Sequence, residues 1–125
     1  FRLSEQYLIR AEARANQNNY SGASKDLSDL RRARFQGGNG SISVSEQNWL
    51  EIIEEERVRE LYMEGFRLQD LKRWHKGFER KPQEQSLTNG SSLKIEADDE
   101  RFVWPIPKHE LESPGSQIQP NESNK

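Results

Sequence analysis

The chain has 125 residues, 31% hydrophobic and 32% charged, with no cysteine. Nineteen basic against 21 acidic residues leave a net charge of −2 with the signs interspersed, which argues against the broad positive field of a nucleic-acid or anionic-membrane binder. Without cysteine there is no disulfide, thiolate nucleophile or cysteine-bound metal, and no apolar run approaches the roughly 20 residues that span a bilayer.

Residues 1–75 carry 28 of the 39 hydrophobic side chains; the last 50 residues carry 11, together with all five prolines. This split predicts a packed N-terminal part and a loop-rich C-terminal part. Phe1 stands where an initiator methionine would, so any targeting signal is expected upstream.

From Leu3 to Ala15, Leu3, Tyr7, Ala11 and Ala15 recur every four residues with Leu8 beside them, the stripe of an amphipathic helix. Ser4 and Glu5 are expected at its start and the polar run Asn16–Asn19 at its end. A second helix is expected from about Gly22 to Phe35, with Ala23, Leu27 and Leu30 inward. Arg31, Arg32 and Arg34 in its last turns oppose the helix dipole, a commoner use of such a cluster than nucleic-acid contact. Joined by a short turn, the two helices resemble a tetratricopeptide hairpin at Tyr7, Ala11, Tyr20, Ala23 and Leu27. One such hairpin cannot bury its own face and must pack on something else. The run Gly37–Ser41 lacks the Gly-Lys-Ser ending of a phosphate-binding loop and reads as a flexible linker.

Ser45 to Asn48 can start a third helix, on which Leu50, Ile53 and Leu61 form the apolar face. Arg57 and Glu64 project onto that same face, where an unpaired charge would cost several kcal/mol. Partners lie at helical spacing: Glu55 and Glu56 with Arg59, Glu54 with Arg57, and, after a bend at Gly65, Arg67 with Asp70 and Asp70 with Arg73. The preference for arginine, whose planar fork grips carboxylates bidentately, points to an internal network. Leu68, Leu71 and Trp74 give the helix after Gly65 its own apolar edge.

Beyond Gly77 the periodicity stops, and residues 79–100 read as a long surface loop containing Pro82, a turn at Asn89-Gly90 and the polar pair Ser91-Ser92. Leu93-Lys94-Ile95 suits a brief extended piece. Phe102 to Pro107 is an apolar island whose prolines forbid helix, so it should lie extended against the core. Lys108 to Leu111 suits a single helical turn, and Ser113 to Lys125 a poorly ordered tail.

Chemistry is sparse. His75 and His109 are far apart in sequence with no third ligand at metal spacing, so neither a metal nor a cofactor is expected. No nucleophile elbow is present. Glu55 and Glu56 could in principle form a glycosidase pair, but the arginines beside them favour ion pairing. Trp49, Trp74 and Trp104 could stack on sugar rings; their apolar neighbours favour packing instead.

The stretch Glu56-Arg57-Val58-Arg59-Glu60-Leu61-Tyr62-Met63-Glu64-Gly65-Phe66-Arg67-Leu68-Gln69-Asp70-Leu71-Lys72-Arg73-Trp74 resembles the E-R-x-x-E-L-x-x-E-G-x-R-x-x-D-L-x-R-W signature of the SusD/RagB family of outer-membrane nutrient-binding lipoproteins. Arg2 to Ala13 resembles the family's R-L-x-E-x-Y-L-I-x-A-E-A helix, and Val103 to Leu111 its P-I-P-x-x-E-L element. Val58 stands where a basic residue is common, Gln69 where an aromatic is usual, and Gln119-Pro120-Asn121 departs from the family's Q-N-P ending.

The resemblance implies a mainly α fold: a tetratricopeptide-like hairpin over residues 1–36, signature helices over 45–76, then loop, proline-rich anchor and flexible tail over 77–125. Residues 1–125 would be the C-terminal region of a longer cell-surface protein whose lipid anchor lies in the N-terminal part. Its partners would be a TonB-dependent outer-membrane transporter and an oligosaccharide or other nutrient, bound mainly upstream, and it would not be an enzyme. Arg57, Arg59, Glu60, Glu64, Arg67, Asp70 and Arg73 would be structural, and no ligand-binding residue carries over. A tetratricopeptide-like adaptor for peptides is the alternative reading.

Overall fold

The structure, a computed structural model, describes residues 2–35, 37, 40–81 and 93–124. The expected features at Gly38-Asn39, Pro82, Asn89-Gly90, Ser91-Ser92 and Lys125 lie outside the described residues. The chain is mainly helical and divides into two compact units, Phe1–Gly65 and Phe66–Lys125.

The first unit holds α1 (Leu3–Asn16), α2 (Tyr20–Arg34) and α3 (Trp49–Glu60). Leu8, Ala11 and Ala15 are buried on α1, and Ala23, Leu27 and Leu30 on α2; the small alanines let the two backbones approach. Leu3, in contrast, is 75% exposed, and its expected place in the stripe goes to Ser4, which is buried inside the helix and caps nothing. A side chain in the first turn has no preceding turn to pack against, so a shift of one position costs little. Asn18 takes a left-handed backbone (φ 60°), and Asn19 caps α2 by accepting from the Gly22 N–H at 2.9 Å. Arg14 Nη1 reaches the Gly22 carbonyl at 3.2 Å, so the end of α1 meets the start of α2, as in an antiparallel hairpin.

The Gly40–Val44 stretch is bound, not a free linker. The Ile42 and Val44 amides donate to Ser28 Oγ (2.9 Å) and Ser24 Oγ (2.8 Å), so both apolar side chains are held down on α2. Gly40 passes so close that a Cβ there would lie 3.0 Å from the Arg32 nitrogen.

Helix α3 starts where Asn48 Oδ1 accepts from the Ser45 N–H, and Ile53 is its fully buried apolar residue. It ends at Glu60, earlier than the projection of Glu64 onto its face requires. Leu61 caps it and is buried, and Met63 adopts a left-handed conformation (φ 60°) in the turn that follows. Glu64 is therefore on an exposed turn and not on the apolar stripe.

In the second unit, α4 (Arg67–Arg73) buries Asp70 and Leu71. Two short strands that periodicity does not reveal, β1 (Phe78–Glu79) and β2 (Lys94–Ile95), pair antiparallel, Phe78 opposite Ile95. Gly77 precedes them because any Cβ would collide with the Ile95 carbonyl. A 3₁₀ turn over Glu100–Phe102 buries Phe102 edge-on against Phe78, ring centroids 6.4 Å apart.

The apolar island behaves differently from expectation. Phe102 alone anchors it, while Val103 is 49% and Trp104 82% exposed. Helix α5 (Lys108–Leu111) follows. The tail also departs from the expected disorder. Asn124 accepts from the Ile106 N–H (3.0 Å) and donates to its carbonyl (2.9 Å), Asn121 donates to the Trp104 carbonyl, and Ser123 Oγ donates to the carbonyls of Glu100 and Val103. Pro105 and Pro107 carry no N–H, so a strand ladder is unavailable, and side-chain amides supply the missing partners.

Candidate functional site

Three arginine–carboxylate clusters stand among the described residues of the first unit. Asp26, 1% exposed on α2, accepts from Arg10 Nε (3.1 Å) and Nη2 (2.7 Å) and pairs with Arg14 Nη1 at 2.7 Å. The bond to Asp26 pushes the Arg10 guanidinium further up. Arg10 and Arg14 stand one turn apart on α1, so both reach the same carboxylate one helix away.

Glu56, buried on α3, accepts from Arg31 Nε at 2.9 Å and from Arg31 Nη2, and also from Arg59 Nη1 at 2.6 Å. Arg59 also holds Glu55 at 2.9 Å. Glu60 accepts from Arg34 at 3.1 and 2.5 Å, while Arg2 bonds the Glu60 carbonyl and bridges to Glu64 at 3.0 Å. Arg31 and Arg34, read from sequence as dipole partners, thus clamp α2 to α3 one turn apart.

Of the residues expected to form the ion-pair network, Arg57 is buried, with 6% exposure, and Arg59 and Glu60 sit in these clusters. Glu64 lies at the rim, its side chain 34% exposed. In the second unit Asp70 is buried and accepts from Arg73 at 3.0 Å, and Arg67 opens α4. Sequence reasoning missed Asp26 and the burial of Glu56. A signal for the first existed: an acid beside Leu27 on the apolar stripe of α2, facing arginines spaced by four on α1.

Arg34 chiefly, with lesser help from Ser4 and Arg2 and against the opposing effect of burial, holds the Glu60 carboxyl below its ordinary 4.5. A lowered folded-state value contributes stability above the unfolded value and loses it as pH falls through the folded one. Stability should therefore fall below about pH 4.5 in part through Glu60, and Glu60→Gln should flatten that acid limb. Urea midpoints taken from neutral pH downward check this; an unchanged acid limb in the variant would contradict it.

Two concavities accompany these clusters. In the first unit, Leu3, Tyr7, Leu30 and Ala33 floor a groove of about 270 Å³ flanked by Arg34 and Asp29. In the second, Asp98, Glu100, Glu122 and Val103 border an open cavity of about 600 Å³. Asp99, which also lines it, is held down to about 2 by the Arg101 side chain and backbone N–H, and Asp98 meets His75 Nδ1 at 2.7 Å. Trp49 and Trp74 are half-buried, Trp74 under the Arg73 guanidinium, 4.8 Å from the ring centroid. Trp104 is the exception to the packing expectation.

Among the described residues, no group of three or more His, Asp or Glu side chains could hold a metal ion, and no helix is long and apolar enough to cross a membrane. Glu55 and Glu56 both serve Arg59, which is ion-pair use and not an acid–base pair facing an open cleft. The sequence model of the SusD family matches residues 1–122. Neither a curated protein nor a solved structure matches the chain.

Proposed function

Because the chain belongs to the SusD family, a family of nutrient-binding and non-catalytic outer-membrane lipoproteins, we propose that it is the C-terminal scaffold of a cell-surface protein that delivers oligosaccharides or other nutrients to a TonB-dependent transporter. The match over residues 1–122 carries this reading. In it, Arg57, Arg59, Glu60, Glu64, Arg67, Asp70 and Arg73 are structural, and the lipid anchor and most ligand contacts belong to the region before residue 1. The cross-helix clamps supply what a scaffold needs: helices fixed in register without a large apolar core.

Two measurements on the longer parent protein test the proposal. Calorimetric titration with a panel of oligosaccharides should give saturable binding with no turnover. Affinity purification from detergent-solubilised outer membranes should recover a TonB-dependent transporter. Hydrolysis of the panel, or recovery of the protein without any transporter, would contradict it. The groove at Leu3 and Tyr7 favours the second reading, an adaptor for a peptide; it predicts peptide binding with no oligosaccharide binding.

A further inference from the structure

We propose that α2 carries a recognition face for an extended polypeptide segment, one in which a glycine is followed by aliphatic residues at alternate positions, and that residues 40–44 occupy this face in cis. The inference stands independently of nutrient capture and of the groove at Leu3 and Tyr7.

The contact is a ladder between a helix and an extended chain. Ser24 Oγ accepts from the Val44 N–H at 2.8 Å and Ser28 Oγ from the Ile42 N–H at 2.9 Å, so a step of four residues along α2 answers a step of two along the chain. The spacings agree: four helical residues rise about 6 Å and two extended residues about 6.6 Å. The next rung joins position 32 to position 40, where a Cβ on Gly40 would lie 3.0 Å from the Arg32 nitrogen. Burial follows the same alternation, with Gly40, Ile42 and Val44 buried and Ser41 and Ser43 exposed.

Each part of the face has a recognition task. Serine inside a helix competes with the backbone for its hydrogen bonds, yet two stand one turn apart on α2. The Ser24 proton goes to the Tyr20 carbonyl at 2.8 Å, which leaves the lone pairs of its oxygen for an incoming amide. Amide pairing reads any extended backbone, whereas the glycine contact and the apolar sites that bury Ile42 and Val44 read sequence. A helix offers no such amides, because its N–H groups are bonded internally, and a sugar has neither amides at this spacing nor side chains for the apolar sites. The ligand class is an extended peptide. Only residues 35–39 separate the cis occupant from α2 in sequence, and so short a tether gives it an effective concentration that dilute peptides do not match.

The test compares the full chain with its Ile42→Ser, Val44→Ser double variant, which releases the occupant, by amide NMR titration with the peptide Gly-Ser-Ile-Ser-Val-Ser, the sequence of residues 40–45. The variant should bind saturably, with the Ser24 and Ser28 amides shifting, and the wild-type chain at least roughly tenfold more weakly. Adding Ser28→Ala should cost the variant roughly fivefold in affinity. The peptide Gly-Ser-Ser-Ile-Val-Ser, whose adjacent aliphatic residues point to opposite faces, should not bind. If release unfolds the variant, the first peptide should restore the helical circular dichroism of the wild-type chain. In the wild-type chain, hydrogen exchange should show the Ile42 and Val44 amides protected, and Ser24→Ala should expose that of Val44 first. Neither saturable binding nor refolding, equal binding of the second peptide, equal affinity of wild type and variant, or unprotected Ile42 and Val44 amides would overturn the proposal.

Discussion

Replacing Asp26 by alanine should lower the unfolding free energy of the first unit by about 3 kcal/mol. The carboxylate is 1% exposed and bound by two arginines, so its loss removes three short contacts and leaves Arg10 and Arg14 without their shared partner. Both arginines retain access to water, with side chains 53% and 33% exposed, which keeps the effect near the low end for a broken buried pair. The reciprocal change should be worse. Arg10→Ala with Arg14→Ala strands the buried carboxylate itself and should cost more than Asp26→Ala, whereas Arg10→Ala alone, with Arg14 still in place, should cost much less. Urea unfolding followed through Trp49, with Trp74 and Trp104 replaced by phenylalanine, isolates the first unit. Losses under about half a kcal/mol for Asp26→Ala would show the cluster to be solvated.

Glu56→Ala is the second large effect, at about 2–3 kcal/mol by the same measurement. Glu56 is buried and satisfies both Arg31 from α2 and Arg59 from its own helix, and the Arg31 side chain is only 28% exposed, so it cannot simply turn to solvent. Glu64→Ala provides the contrast. Its carboxylate is on the rim, opposite a half-exposed Arg2, and removal should cost at most about half a kcal/mol. Equal losses for Glu56→Ala and Glu64→Ala would contradict the burial pattern.

That contrast also shows where reading the sequence stops working. Helical projection puts Arg57 on the buried face correctly because Arg57 is inside α3, but it carries Glu64 there only if the helix continues. It ends at Glu60, one turn before the bend expected at Gly65, and left-handed Met63 lies in the turn between them. Within one helix, spacing was informative: Glu55 and Glu56 meet Arg59, and Asp70 meets Arg73. Between helices it was not, since Arg31 finds Glu56 and Arg34 finds Glu60 across separations of 25 and 26 residues. The α1 and α2 stripes were legible because alanine and leucine at three- and four-residue spacing have one economical burial.

The C-terminal unit was less legible for different reasons. Strands of two residues are shorter than any periodicity can detect: the brief extended piece expected at Leu93-Lys94-Ile95 is β2, but β1 and the pairing of the two left no signal. The polar tail reads as disorder by composition, yet Asn121, Ser123 and Asn124 use side-chain amides and a hydroxyl as backbone partners, an interaction that depends on where the chain returns. For Trp104, apolar neighbours in sequence were a poor guide. Phe102 closes a 3₁₀ turn and is buried, whereas Trp104, in the irregular segment after it, is 82% exposed.

The most direct test of the cross-helix clamps as the basis of this scaffold is a double-mutant cycle on Arg31→Ala and Glu56→Ala in the full chain. The two side chains, on α2 and α3, should show a coupling of about 2 kcal/mol, the double variant being little worse than Glu56→Ala alone. Additivity within about 0.5 kcal/mol would mean that the ion pairs decorate helices held by their apolar faces, and would contradict the account.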